Sequence, residues 1–526
     1  MKMHIGRRRF LKTGSSAIAL AAFGSHKTTA AGPEKKALKI YQLPEGEPAA
    51  PISITAEGMP LPVSQCYVSA YPFNRRWPGH QRTKDQSEPA YFARLEGKGP
   101  LAFEYSPGHP FSDCTVRPLS AKVTPEVKDG IITFTLPRSG GYSVELDGPH
   151  NALHIFIDPP RDYTISQEAK GTHYFGAGVH HIGILRLKAD ETVYIDEGAV
   201  VYGCIHGDGV NRVRILGRGI LDNSENVEEI LFNVDKLGDG SVDVGNSRRE
   251  HTIHFINSSD IEIEGITIRD SLVYNVACFG CSNVSVKNIK IIGCWRYNSD
   301  GIDFHNCRNA HVSGCFVRTY DDSLCAKGHD EYRYDTCEDI LFENCVVWND
   351  WGKALEIGAE TRAEHLRRIT FSNCDVIHLT GPAIDIMNVD YGDVHEVLFE
   401  DIRIEYDAVI QRPRIQKNDE EHFVSDPDST YMPNAISFSV EKHAEYSGGL
   451  ERRGRIHDIT LRNIQIHASR MPPSSFRGYD EKHAVSDVII DGLFLNNQQI
   501  TSPDAAQFHF GEHTSDIRFE KSTPGK

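Results

Sequence analysis

Long hydrophobic runs are what this sequence most plainly lacks. Beyond its first thirty residues no stretch reaches the roughly 18 apolar residues that a membrane-spanning helix requires, so no membrane span is expected in the mature chain. Positive charge is also short. Lys and Arg together number 56 against 73 Asp and Glu, a formal net charge of −17. A nucleic-acid partner would call for a basic footprint instead, and none is expected. The same balance makes a polyanionic ligand less natural, although a local basic pocket overrides net charge. Cysteine pairs at zinc spacing are missing, since Cys278 and Cys281 stand alone as a CxxC. The glycine turn His206–Gly207–Asp208–Gly209 lacks the GxxxxGK of a phosphate loop, and there is no serine nucleophile elbow. Nothing calls for a cofactor or a metal. Helical periodicity is absent from the repeats described below, which excludes the common α-solenoids.

What is present begins with an address. Arg7, Arg8, Arg9, Phe10, Leu11 and Lys12 precede an apolar run from Ala17 to Phe23, with small residues at Ala30 and Ala31. This is the grammar of a signal peptide over residues 1–31, of the twin-arginine type that exports folded proteins. A periplasmic or secreted location is therefore expected. The twelve cysteines are read mostly as small buried hydrophobes, with one or two disulfides among those outside the repeats.

The main structural signal is a repeat. IEIEGITI from Ile261 is followed by VSVKNIKI from Val284, HVSGCFV from His311, ILFENCVV from Ile340, ITFSNCDV from Ile369, VLFEDIRI from Val397, ITLRNIQI from Ile459 and VIIDGLFL from Val488. Each has apolar alternation on both sides of a turn-forming residue: Gly265, Asn288, Gly314, Asn344, Asn373, Asp401, Asn463 and Gly492. These are spaced by 23, 26, 30, 29, 28, 62 and 29 residues, the long gap implying a displaced rung plus an insertion. Alternation with period two marks strands, and one such unit buries its inner face only by stacking on its neighbours. The expectation is an all-β protein: a right-handed parallel β-helix over 170–520, with earlier coils from near Thr192 and an insertion at about 408–450. Residues 38–165 carry strand-like runs among Pro/Gly turns without a fixed period, which predicts a preceding β-sandwich.

Acidic residues gather where two coils turn. Tyr297–Asn298–Ser299–Asp300–Gly301–Ile302–Asp303 precedes Tyr320–Asp321–Asp322–Ser323–Leu324–Cys325–Ala326–Lys327. Asp300 and Asp321 lie 21 residues apart, close to one coil, so they are expected at matching positions on adjacent coils about 4.8 Å apart. Clustered carboxylates raise one another's pKa, and so keep one protonated as an acid beside an ionised base. Glycoside hydrolysis needs that pair. A calcium site is the other reading of clustered carboxylates. Around them, Asn298, Lys327, Lys353, Glu356, Trp295 and Trp351 are candidate substrate contacts; Glu356 pairing with Lys353 and aromatic core packing are their structural alternatives. His305 is read as structural.

NSDGID and DDSLCAK together resemble the NTDGID and DDCIAIK signatures of glycoside hydrolase family 28, the polygalacturonases, and also the related β-helical family 49 of dextranases and isopullulanase. The resemblance covers about residues 170–400. It implies inverting hydrolysis with Asp321 as general acid and Asp300 and Asp322 positioning and deprotonating water. Two features depart from family 28. Where it has Gly-His-Gly, this chain reads Trp351–Gly352–Lys353–Ala354–Leu355–Glu356–Ile357–Gly358; and its Arg-x-Lys has only a poor counterpart at Arg414–Ile415–Gln416–Lys417. An N-terminal sandwich and a Trp segment ending in Glu-x-Gly resemble family 49, which tilts the expected substrate from a galacturonan towards a neutral glucan. The partner expected is thus a polysaccharide or oligosaccharide. A calcium-dependent β-helical lyase and a non-catalytic carbohydrate-binding protein remain alternatives.

Overall fold

The computed structural model describes residues 38–520, apart from 49, 76–81, 83, 227–249, 419, 445 and 448–450. The signal-peptide segment lies outside the described residues. Two mainly antiparallel sheets come first. One joins Leu38–Ile40, Ser87–Gly97, Leu153–Asp158, Gly140–Leu146 and Cys114–Arg117, with Val63–Ser69 also paired to Ser87–Gly97. The other joins Met59–Leu61, Ser53–Ala56, Leu101–Ser106, Ile131–Leu136 and Glu126–Lys128. Ile131–Leu136 alternates exposed and buried residues along its length, and its Ile132, Phe134 and Leu136 meet Leu95, Leu153 and Ile155 of the facing sheet in one apolar core. This is a β-sandwich.

From Thr172 onward the chain winds into a parallel β-helix with three strands to most coils. It begins one coil before Thr192, because Thr172–Phe175 already pairs in parallel with Thr192–Ile195. One ladder stacks Val276–Phe279, Ile302–His305, Leu324–Gly328, Leu355–Thr361, Ile384–Asn388 and Ile436–Val440. A second stacks Ser282–Lys287, Arg308–Ser313, Thr336–Glu343, His365–Ser372 and Asp393–Glu400. A third stacks Lys290–Ile292, Phe316–Thr319, Val346–Asn349 and Asp375–His378. The repeat works at the bend between second and third ladders, where all eight central residues have φ between +49° and +88°. Gly adopts this region freely, and Asn and Asp tolerate it best among the others. The asparagines also ladder: Asn373 Nδ2 donates to Asn344 Oδ1 at 2.6 Å. Inside, Phe304, Phe342, Phe371 and Phe399 continue one another at centroid distances of 4.7–5.7 Å.

The two parts share a third apolar cluster. Phe92 and Phe156 of the sandwich pack on Ile292, Phe316, Trp348 and Ile377, which point outward from the third ladder. A Cβ at Gly141 would lie 2.6 Å from the Phe316 ring, so glycine lets the surfaces close. The sandwich thereby covers the third ladder's face and leaves the first ladder's rim for other uses. The 62-residue gap corrects the expectation of a displaced rung: Asp401 and Asn463 stand on adjacent coils, Asn463 Nδ2 donating to Asp401 Oδ1 at 2.6 Å, and the gap is a single coil with a long excursion. Ile436–Val440, inside the expected insertion, stacks in register on Ile384–Asn388, while Arg414–Gln416 leaves the helix to pair with Phe73–Arg75.

All twelve cysteines are free thiols, which corrects the expectation of disulfides. Cys315, Cys345 and Cys374 occupy corresponding inward positions of successive coils, and each thiol donates to the carbonyl two residues before it. They fill space as small apolar groups with a weak donor.

Candidate active site

Asp300, Asp321 and Asp322 stand where the third ladder turns into the first, and Asp303 and Glu356 follow on the first ladder's own strands. The register there differs from the simple count. Gly301 N donates to Asp322 O at 2.8 Å and Ile302 N to Ser323 O at 2.9 Å, so Asp300 lies beside Asp322 and Asp321 beside Ser299. The next coil brings Lys353 under Asp322, with Ser323 N donating to Lys353 O at 2.9 Å. Small residues make these approaches possible. A Cβ on Gly301 would sit 2.1 Å from Ser323 O, and one on Gly352 would sit 2.6 Å from Asp322 N. Asn349 Nδ2 ties the turn together from below, donating to Asp321 O, Ser323 Oγ and Lys353 O at 2.7–3.2 Å.

At the centre is Lys327, a residue only 3% exposed. Its Nζ lies 3.1 Å from Asp322 Oδ2, 3.2 Å from Asp300 Oδ2, 3.6 Å from Asp303 Oδ1 and 3.8 Å from Glu360 Oε2. Lys353 Nζ lies 3.0 Å from Glu356 Oε1 and 3.6 Å from Asp322 Oδ1, while its backbone N–H donates to that same Oδ1 at 3.1 Å. Asp322 therefore has an ammonium on either side. Burial alone would raise its pKa, but Lys353 and Lys327 overcome that and hold it ionised, well below the usual carboxylate range.

Its neighbours go the other way. Burial, then the charge of Asp322, push Asp321 up to about 7. Asp303 is likewise pushed up to about 7 by burial against the pull of Lys327. Burial and the surrounding acids raise Asp300 well above its ordinary value despite Lys327. Glu356 is raised well up by burial and then by the charge of Asp322, against the pull of Lys353. Asp385 rises to about 6, again through burial. The arithmetic of the cluster explains the pattern: seven carboxyl groups face two ammonium groups, and only Asp322 and Glu360 are held below their ordinary values.

Of the three aspartates, Asp321 is the one that is partly exposed. Its Oδ2 accepts from the backbone of Asn298 at 3.3 Å and its Oδ1 from the N–H of Asp322 at 3.1 Å. Asp300 Oδ1 is buried without a hydrogen-bond partner in the protein. Ligand atoms of Asp322, Cys325 and Glu356 lie within 4.8 Å of one another. Calcium prefers six to eight oxygen ligands, however, and the positive charge at this point is already supplied by two ammonium groups.

Several candidate sugar contacts are corrected. Trp295 is 7% exposed with the Arg296 guanidinium 4.2 Å from its ring centroid, so it has no free face for a sugar. Glu356 is wholly buried and Lys327 nearly so; they organise the carboxylates from beneath. Trp351 stays half-buried at the cleft, its ring stacked at 5.8 Å on Tyr320, whose own ring carries Arg82 at 4.1 Å. His305 is a buried histidine packed on Phe279. The sequence reading missed Glu360 and Asp385. Asp385 had a signal, since it continues the column Asp303, Cys325, Glu356 in strand register. Glu360 had none, because a register shift after Ala326 aims it. Downstream, Lys353 and Asp385 pass into a cavity of about 410 Å³ lined by Ser437, Ser439, Ser475 and His509.

Residues 166–418 match the model for glycosyl hydrolases family 28, a span that includes the whole acidic cluster. A probable polygalacturonase of Vitis vinifera is 33% identical over 86 residues, 16% of this chain and 18% of that protein, so the match spans under a fifth of that relative. Among solved structures, Dex49A from Penicillium minioluteum superimposes with a TM-score of 0.51 at 15% identity, over 91% of this chain and 90% of its own. A family 28 exopolygalacturonase of Yersinia enterocolitica gives 0.46 at 13% identity, over 80% and 97%. The chain thus shares the β-helical fold of Dex49A, and just under half of it, residues 166–418, resembles the glycosyl hydrolases of family 28.

Proposed function

We propose that this protein hydrolyses glycosidic bonds of a polysaccharide or oligosaccharide at the Asp300–Asp321–Asp322 cluster. The observation that carries the reading is the adjacent pair of opposite character. Asp321 is partly exposed with its pKa pushed up to about 7, whereas Asp322 is held ionised between Lys327 and Lys353. Asp321 then donates its proton to the glycosidic oxygen as the C–O bond breaks. Asp322 takes a proton from the water whose oxygen bonds the anomeric carbon, and Asp300, beside it on the adjoining coil, helps to position that water. Attack from the face opposite the leaving group inverts the anomeric centre. The substrate is a neutral glycan, because both central ammonium groups are already engaged by carboxylates of the cluster and leave no free cation for a uronate. The N-terminal Arg-Arg-Arg-Phe-Leu-Lys segment supports export.

The test is incubation with dextran, pullulan and polygalacturonate, with and without a chelator, following reducing ends and ultraviolet absorbance together. New reducing ends on a neutral glucan, without absorbance and insensitive to chelator, are expected. Chelator-sensitive absorbance would make the protein a lyase instead. Release only from polygalacturonate would overturn the substrate assignment.

A further inference from the structure

A histidine cluster sits on the second ladder, on a sheet that does not carry the acidic cleft. We propose that His365, His395 and Asp393 form a binding site for a divalent transition metal of the zinc class. Strand geometry assembles it. Asp393 and His395 are two residues apart on the strand Asp393–Glu400 and so share a face. His365 is the direct register partner of Asp393 on the preceding coil. The three ligand atoms lie within 4.8 Å of one another. His365 Nδ1 is 3.1 Å from His395 Nε2 and 3.8 Å from Asp393 Oδ2. A tetrahedral site with metal–ligand bonds of 2.0–2.1 Å has ligand–ligand edges of about 3.3 Å; the two His365 edges are within about 0.5 Å of that, and the edge from His395 to Asp393, under 4.8 Å, must close by a rotation of side chains.

The surroundings prepare the ligands. Glu396 Oε1 lies 3.3 Å from His395 Nδ1. A carboxylate there keeps the ring proton on Nδ1 and leaves Nε2 as a lone pair aimed at His365, the arrangement that orients metal-binding imidazoles. His457 lies parallel to His395 at 5.2 Å, within 1° of coplanarity of the ring normals, and fixes its plane. His457 Nε2 also holds Asp393 Oδ1 at 2.9 Å. His395 has 12% of its side chain exposed and His365 40%, so the site is rigid on its inner side and reachable from outside. Two imidazoles and one carboxylate suit zinc and its neighbours rather than calcium or magnesium. One feature opposes a cation. Arg455 holds both oxygens of Asp393, at 2.9 and 3.0 Å. A metal at this site must displace the guanidinium from Oδ2, which gives the proposal a sharp signature.

The test is calorimetric titration of the full chain with zinc chloride, counting equivalents bound. His365→Ala and His395→Ala should each lose one equivalent, or bind it at least tenfold more weakly, with circular dichroism and thermal midpoint in chelator showing that the coils remain intact. Arg455→Ala should bind that equivalent several-fold more tightly, because a competing cation has gone. Unchanged stoichiometry and affinity in both histidine variants would overturn the proposal. So would loss of the equivalent in Arg455→Ala, which would make the guanidinium a needed part of the arrangement rather than a competitor.

Discussion

Seven carboxyl groups gathered around two lysines make the charge of each side chain a property of the group it sits in. Asp321 illustrates this. Its raised pKa comes from burial and from Asp322 next to it, so the group that must stay ionised helps keep the acid protonated. Asp321→Asn keeps the shape and removes the transferable proton; turnover should fall by about 10²–10⁴-fold, with thermal midpoint and substrate affinity nearly unchanged. Substantial turnover in a sample free of deamidation would remove Asp321 from the role of acid. The same electrostatics reach stability. Asp303 ionises at about 7 in the folded chain against an ordinary 3.8. Its contribution is therefore full below pH about 4 and is lost as pH rises through about 7. Thermal midpoints measured from pH 5 to pH 8 should decline less steeply in Asp303→Asn than in the parent; parallel curves would contradict the assignment.

At the scale of the strand and its turn, most of the architecture was legible because the bend between ladders demands a left-handed residue, and Gly, Asn and Asp announce it. The catalytic turn was only partly legible. Counting 21 residues paired Asp300 with Asp321, but the hydrogen bonds of Gly301 and Ile302 set Asp322 beside Asp300. A count of residues between turns does not reveal which of two adjacent aspartates the ladder selects. Trp295 misled for a related reason: an aromatic residue near a turn reads the same whether it faces a cleft or an arginine. Glycine positions, by contrast, report how closely neighbouring coils approach. Gly352→Ala puts a methyl carbon 2.6 Å from Asp322 N and Oδ1. It should displace Asp322 and cut kcat by at least tenfold while KM changes little. A variant with parental kcat would show that the turn tolerates the shift.

For the whole molecule, the excursion at 408–450 is where sequence reading stopped short, since a loop's docking partner hundreds of residues away leaves no local pattern. Arg414–Gln416 extends Phe73–Arg75, Gln86 Nε2 donates to Gln416 Oε1 at 2.8 Å, and Tyr71 stacks on Phe423 at 4.5 Å. These contacts join the excursion to the sandwich, which itself lies against the third ladder. A double-mutant cycle between Tyr71→Ala and Phe423→Ala should give a coupling free energy of about 0.5–1.5 kcal/mol. Additive effects would mean that the stack does not hold the two segments together.

The twelve unbonded thiols make the helix its own unfolding gauge. Eleven are sealed from solvent and Cys114 is half-covered, so an alkylating reagent should find at most one ready target in the native protein. Because ten of the eleven are distributed along the windings, with Cys66 in the sandwich, the order in which those ten become reactive under rising denaturant traces the route by which the solenoid unwinds, and the mass of the labelled protein records how far it has gone.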